Sequence, residues 1–360
     1  VAGGSTGGGR IGAIVAGGGT SGAQPASDGG PGRGGRMSEA ERRIGFAVKV
    51  LGRGGLPSHD TRRWQSEPSV GVSIEALHRV LDYLDDVGIR MYRLSSDFVP
   101  YATHPELPRF HHQLERHATE LGRIGRYAKR LDIRLSLHPS QYVVLNAEDE
   151  SIARKARWDL DAQARLLDAL EQGPEAVVVL HVGGVYGDKA AALRRFVESY
   201  ARLSEPARRR LVVENDEASY TVEDCLWIHR EVGIPVVFDH QHHRLNPGGL
   251  EVAEAAARAL ETWPAGVTPK VHFSSPRLDG REIGRGKAAR IEPPLLRQHA
   301  DYVDPWTFAE FVEPLRDRAF DVMIEAKAKD LAVLKLRSDL RSIGRESALL
   351  APPGAGGAAG

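Results

Sequence analysis

The stretch "VVFDHQHHRLNP", residues 236–247, runs from three apolar residues into Asp239, His240, Gln241, His242 and His243. Imidazole and carboxylate groups at that density suit a divalent cation, being borderline and hard donors matched to Zn2+, Mn2+ or Fe2+. The pattern recurs along the chain. "LSLHPS", "VVLHVGG", "RLVVEND", "KVHFSS" and "VMIEAK" each carry His138, His181, Glu214, His272 or Glu325 behind a short apolar run. With Asp239 and His242, these donors exceed what one four-coordinate ion takes. A cluster of ions bridged by carboxylates follows, with Glu214 and Asp239 as the bridging candidates. Ions a few ångströms apart suit in-line phosphoryl displacement, one activating water and another stabilising the leaving oxygen. A lone histidine at a strand end is more often a hydrogen-bonded polar residue than a ligand. Six strand ends sharing the pattern carry the reading where one would not. Asp239 and His242, three residues apart, also fit a local cap or ion pair, and His240 and His243 are not both read as ligands.

Eight short β-branched or Leu-rich runs must position these donors: "RIGFAVKV", "IRMYRLSS", "IRLSLHPS", "AVVVLHVGG", "RLVVEND", "PVVFDHQHH", "PKVHFSS" and "DVMIEAK". Each has the length and composition of a parallel strand buried on both faces. Longer amphipathic stretches lie between them, among them "SIEALHRVLDYLDDVG", "QLERHATELGRIGRYAKRLD", "RKARWDLDAQARLLDALEQG" and "DKAAALRRFVESYARL", several of which stop at Gly. Eight βα units predict an α/β fold, a (β/α)8 TIM barrel, with an open doubly wound sheet as the rival. The donors favour the barrel. Six of the eight runs end in His, Asp or Glu, and a barrel gathers strand C-termini at one rim. An open sheet would use a single switch point instead.

The 360 residues, 41% of them hydrophobic, suffice for one large domain. Basic and acidic residues number 48 each, so global charge argues for no particular partner. The one cysteine, Cys225 in "TVEDCLWIHREVG", excludes an internal disulfide and points to a reducing cytoplasm and a packed helix position. No apolar run has the length of a membrane span. Residues 1–36 are Gly-rich and read as a disordered extension, 37–340 as the barrel domain, and 341–360 as a flexible tail. Lys189 in "GGVYGDK" invites a phosphate-loop reading, but Asp188 as a helix N-cap is the simpler one.

Taken together, "LSLHPSQY", "VLHVGGVYGDKAAALRRF", "VVENDE", "VVFDHQHHRLNP", "KVHFSS", "HADYV" and "VMIEAKAKD" resemble the UV damage endonuclease (UvdE-type) family, in the family's own order from about Ile44 to Lys329. That family is similar in fold and metal site to endonuclease IV and the xylose-isomerase-like barrels. The resemblance implies a metal-dependent endodeoxyribonuclease of DNA excision repair that nicks damaged duplex DNA immediately 5′ to cyclobutane pyrimidine dimers and 6-4 photoproducts. It implies a cluster of three ions, manganese foremost, with Zn2+, Mg2+ and Co2+ as alternatives. It further implies a monomer with no obligate protein partner, cytoplasmic and associated with the nucleoid.

Residue by residue, the resemblance implies metal ligation by His138, His181, Glu214, Asp239, His242, His272 and Glu325, and adds His299 of "QHADYV", behind the insertion "PRLDGREIGRGKAARIEPPLLR". Lys270 matches a lysine carboxylated in a member of the family; a barrel lysine paired with a neighbouring acid is the alternative. Gln141 and Tyr142 match the pair that probes the duplex at the lesion, by base-edge hydrogen bonding and stacking. Phe46 stands where some members carry Tyr and is expected to touch the damaged strand. His104 of "PYATHP" is expected near the scissile phosphate. Lys327 and Lys329 are expected at the rim beside Glu325, with Lys49, Arg53, Arg62 and Arg63 as further phosphate candidates. The rival readings are a xylose-isomerase-like sugar isomerase or epimerase, and a DNA-binding scaffold with a structural metal. "HPSQY" favours repair, since an amide and a phenol at a rim suit a wedge better than a small closed pocket.

Overall fold

In the computed structural model, which describes residues 41–352, all eight expected runs form strands, each shorter than its apolar stretch. They are β1 (Ile44–Ala47), β2 (Met91–Arg93), β3 (Arg134–Ser136), β4 (Val178–His181), β5 (Leu211–Glu214), β6 (Val236–Asp239), β7 (Lys270–Phe273) and, beyond a hairpin of β8 (Arg281–Ile283) and β9 (Arg290–Glu292), β10 (Asp321–Ile324). The parallel ladder runs β3-β2-β1-β10-β7-β6-β5-β4. A single residue closes the ring between β3 and β4. The Leu137 N–H donates to Val177 O at 3.0 Å, and the Val179 N–H donates to Leu137 O at 3.0 Å. The open-sheet rival is thereby excluded.

Around the barrel lie α1 (Val70–Asp86), α2 (Gln113–Arg116), α3 (Ala118–Arg130), α4 (Glu150–Ala169), α5 (Lys189–Ala201), α6 (Glu205–Arg210), α7 (Val222–Val232), α8 (His240–Leu245), α9 (Val252–Leu260), α10 (Pro305–Val312) and α11 (Lys329–Ser342). Local sequence sets several of their starts. Ser69, Asp149 and Asp188 accept N–H bonds in the first turns of α1, α4 and α5, and Thr221 with Asp224 forms a capping box on α7. Cys225 is buried on α7, as its pattern predicts.

Alternation along each strand sorts the side chains into two populations. Ile44, Phe46, Tyr92, Val178, Leu180, Val213, Val236, Val271 and Phe273 join the large core beneath the helices. Val177, Val179, Val212 and Val237 form a smaller cluster with Trp263. Continuing that second parity along the strands gives His181, Glu214 and Asp239, so the donors share the face of the smaller cluster. Close strand approach dictates one residue outright. A Cβ on Gly45 would lie 2.2 Å from the Met91 carbonyl oxygen, so β1 can lie against β2 only with glycine at this position.

Two sequence expectations need correction. Phe46 is fully buried and packs edge-on against Tyr92 with ring centroids 5.5 Å apart, on the helix-facing parity, so it offers no surface to DNA. The barrel domain also runs past residue 340: Ala348 and Leu349 are buried, and the Arg42 N–H donates to Leu349 O at 2.7 Å. Residues 1–36 and the chain beyond 352 lie outside the described residues, so the expected extension and the end of the tail do too. Among the described residues, no helix is long and apolar enough to cross a membrane.

Candidate metal centre

Glu214, the last residue of β5, is fully buried at the centre of the donor set. Its Oε2 lies 3.1 Å from His138 Nε2 and 3.7 Å from His181 Nε2, while its Oε1 lies 2.8 Å from His272 Nδ1 and 3.6 Å from His242 Nδ1. Asp239 Oδ1 is 3.5 Å from His242 Nδ1. Glu325 Oε1 is 3.5 Å from His272 Nδ1, and its Oε2 is 3.9 Å from His299 Nε2. All eight ligand candidates therefore meet. His299, which the strand-end argument does not reach, joins through the loop after β7, where it pairs with Pro276 as an isolated bridge.

The local structure explains the placement. The run from 235 to 243 is strand only as far as Asp239, which caps α8 by accepting the His242 N–H at 2.7 Å. The cap and the ligand candidate are the same residue: the capping Oδ1 is engaged, while Oδ2 is buried with no hydrogen-bond partner among the described residues. The helix turn brings His242 back over the barrel and turns its neighbours away. His240 stacks on Phe273 at 4.5 Å, and His243 donates from Nε2 to Leu250 O at 3.1 Å, so neither joins the ring. Asn215 fixes β5 against β6, accepting the Asp239 N–H at 2.9 Å and donating to Asp239 O at 3.1 Å. Its carbonyl accepts a hydrogen bond from His242 Nδ1 at 3.1 Å, and Pro139 O faces His138 Nδ1 at 3.0 Å; such bonds orient ligating imidazoles. Asn215 and Arg93 escape sequence reading, because it counts only potential ligands. Arg93, at the end of β2, forms an ion pair with Glu325.

The electrostatics fit cations. Burial raises the Glu214 carboxyl, but His272 and His181, with hydrogen bonds from His138 and His272, outweigh it and hold the group well below the carboxylate range. Glu325 is likewise held low, burial being outweighed by Arg93 and His272. Burial, with Glu214 and Glu325 nearby, pushes Asp239 up to about 8 despite His242. Burial lowers His242, yet Asp239 and Glu214 prevail and raise it to about 9. Burial drives His272 down to about 4. His181 Nδ1, Asp239 Oδ2, His272 Nε2 and His299 Nδ1 are buried without hydrogen-bond partners among the described residues. Two donor triads, His138–His181–Glu214 and Glu214–Asp239–His272, each bring ligand atoms within 4.8 Å of one another, and Glu214 belongs to both. Orphaned lone pairs beside a shared carboxylate are what a cluster of divalent cations would satisfy.

The remaining candidates divide. Lys270 opens β7 and is fully buried; its Nζ donates to Ser136 Oγ at 3.2 Å. Among the described residues it has no carboxylate ion-pair partner, which speaks against the alternative of a paired acid; burial, Arg134 and Arg93 hold its pKa well below that of an ordinary lysine. Gln141 and Tyr142 are exposed in the loop that follows β3 and His138, Tyr142 to 80%. Lys327 is exposed, its N–H donating to Ala300 O at 3.0 Å beside His299, and Lys329 is half-buried. His104 lines a separate cavity of ≈ 540 Å³ with Ser140, Lys155 and Asp159, none of it lined by the eight ligand candidates. Arg53 and Arg62 are tied to Asp86 and Asp60 at 2.8 and 2.6 Å, as ordinary loop ion pairs. Lys189 lies 2.5 Å from Asp224, and Asp188 caps α5, in keeping with the simpler reading of that loop.

The chain is similar to known proteins over most of the barrel. Residues 65–350 match the family model described as UV-endonuclease UvdE. A UV DNA damage endonuclease of Bacillus velezensis is 35% identical over 273 residues, covering 74% of this chain and 79% of that protein. One of Bacillus cereus is 34% identical over 279 residues, covering 75% and 81%. Among solved structures, SacUVDE matches with a TM-score of 0.70 at 28% identity, covering 84% of this chain and 99% of that one. A D-psicose 3-epimerase solved in the presence of D-fructose matches at a TM-score of 0.50 and 14% identity, which is a likeness of fold alone. The barrel, its convergent donors and these matches agree: the chain belongs to the UV-endonuclease UvdE family.

Proposed function

We propose that this protein is a cytoplasmic DNA repair endonuclease that nicks the damaged strand immediately 5′ to UV photoproducts, cyclobutane dimers and 6-4 products among them. The observation that carries the reading is the buried Glu214 carboxylate, ringed by His138, His181, His242 and His272 and shared by two donor triads. Divalent cations held by the eight candidates, three of them with Mn2+ foremost, would supply Lewis acidity at the scissile phosphate and lower the pKa of water there. Glu214 and Asp239 would contribute negative charge to more than one of them. Asn215, through the His242 imidazole it accepts from, and Arg93, through Glu325, keep the donors oriented.

Recognition falls to residues outside that ring. Tyr142 presents a ring to replace lost stacking, and Gln141 presents an amide to exposed base edges. Lys327 serves the phosphate path beside Glu325, and His104 acts farther out on the rim. Lys270, buried and without an acid partner among the described residues, is the candidate for carboxylation. The partner is damaged double-stranded DNA, bound by a monomer. The test is nicking of UV-irradiated against untreated supercoiled plasmid in Mn2+, with the termini mapped at a defined dimer. Equal cleavage of both plasmids, or turnover of a ketose with neither plasmid cut, would overturn the reading.

A further inference from the structure

The insertion between β7 and the His299 loop folds into an arm. Strands β8 and β9 pair antiparallel, with Arg281 opposite Glu292, Glu282 opposite Ile291 and Ile283 opposite Arg290. The root of the arm is fixed to the metal centre. The Arg277 N–H donates to Gln298 O at 2.7 Å, the Ala300 N–H donates to Ser275 O at 2.8 Å, and His299 sits between these two bonds. Gln241, beside the ligand His242, donates from Nε2 to Leu296 O at 2.7 Å. At the strand rise of about 3.3 Å per residue, the segment from Arg277 to the end of β8 at Ile283 extends for up to roughly 20 Å.

The arm is poorly suited to a merely structural role. Leu278 and Ile291 are each 69% exposed, and Leu295 and Leu296 are also exposed, so it buries little against the barrel. Arg281, Arg285, Arg290 and Arg297 are exposed and have no carboxylate partner among the described residues. Of the acids on the arm, Glu292 is engaged by Arg277 at 3.7 Å. Unpaired guanidinium groups on an extended, half-apolar ribbon complement a polyanion with a groove. A duplex carries one phosphate per 3.4 Å of each strand, so such an arm runs past about six of them.

We propose that hairpin β8–β9 is a duplex-binding arm whose arginines grip phosphates flanking the nicked position, irrespective of the lesion. This rests on the endonuclease reading for its substrate and adds to it a surface that sets affinity rather than damage choice. The ribbon is rooted beside His299, so a phosphate at the ligands brings the neighbouring backbone onto the arm.

The test compares the wild type with the triple variant Arg281→Ser, Arg285→Ser, Arg290→Ser, and with the charge-gain variant Glu282→Lys. Titrations use damaged and undamaged 30-mer duplexes across a salt series. The triple variant is expected to bind both duplexes roughly tenfold more weakly. Its slope of log K against log salt should fall by about two to three, at about 0.9 for each phosphate no longer neutralised. Glu282→Lys should tighten both complexes. A triple variant with wild-type affinity and slope overturns the arm, as does one that binds only damaged DNA more weakly. A change in self-association by sedimentation with DNA binding intact also overturns it, making the apolar ribbon an interface between copies. If the wild type nicks nothing while the salt slope still falls, the arm stands and the endonuclease reading falls.

Discussion

Glu214 gathers charge that no hydrophobic barrel interior would tolerate unaided. Glu214→Gln is nearly isosteric and removes the negative charge shared by two donor triads. It is expected to abolish nicking and lower metal content, with the circular dichroism of the barrel retained; near wild-type nicking in Mn2+ would show that Glu214 does not bridge. Asp239 and His242 predict how loading depends on pH. Both are raised, to about 8 and about 9, so near neutrality the pair retains protons that cations must displace. Affinity for Mn2+ should therefore climb from pH 6 to pH 9, and calorimetry in buffers of different ionisation enthalpy should register proton release. Loading that releases no protons at pH 7 would contradict the assignment. Tyr142 tests recognition separately from chemistry. His138→Ala should lose metal and cleavage together, whereas Tyr142→Ala keeps every ligand and removes a stacking surface worth about 1–3 kcal/mol per base. Binding to a dimer-containing duplex should weaken roughly tenfold or more, at 1.4 kcal/mol per decade, with affinity for undamaged DNA nearly unchanged. Equal weakening on both duplexes would make Tyr142 a packing residue.

The elements are legible in the sequence wherever period and composition agree. Eight β-branched runs form the eight barrel strands, and the caps at Ser69, Asp149, Asp188 and Thr221 begin helices where their side chains accept first-turn N–H bonds. Illegible features depend on partners distant in sequence. The six-residue α8 is too short for a periodic signal, and Asp239 reads equally as strand end or cap until Asn215 fixes it. Phe46 lies in a stretch that resembles a DNA-binding family, but its parity on β1 turns it to the helices. Hairpin β8–β9 reads only as an insertion, since three-residue strands with exposed arginines leave little apolar trace. Another long-range device is Asp330 on α11, fully buried, which accepts the Leu51 N–H at 2.7 Å, the Gly52 N–H at 2.9 Å and the Tyr83 hydroxyl at 2.6 Å. Asp330→Ala strands three donors and should cost about 2–3 kcal/mol in urea unfolding, while Asp330→Asn should recover part of it. A cost below about 0.5 kcal/mol would mean that water replaces the carboxylate in the loop.

At the scale of the whole molecule, the barrel is a ring with one weak joint. Every other neighbouring pair of strands shares a ladder, whereas β3 meets β4 through Leu137 alone. His138 follows Leu137 directly, and His181 ends β4, with ring centroids 5.2 Å apart across that joint. An ion held by both imidazoles would act as a clasp. Breathing of the ring should then be governed here by metal more than by backbone bonding. Amides of Leu137 and Val179 should exchange with deuterium far sooner in chelator than in Mn2+, while those within β6 and β7 change little. At a free-ion concentration about 100-fold above Kd, linkage adds about 2.7 kcal/mol to global stability, and the joint should gain most of it. Without bound cations the ring should thus open along one side, exposing the edges of β3 and β4 to proteases.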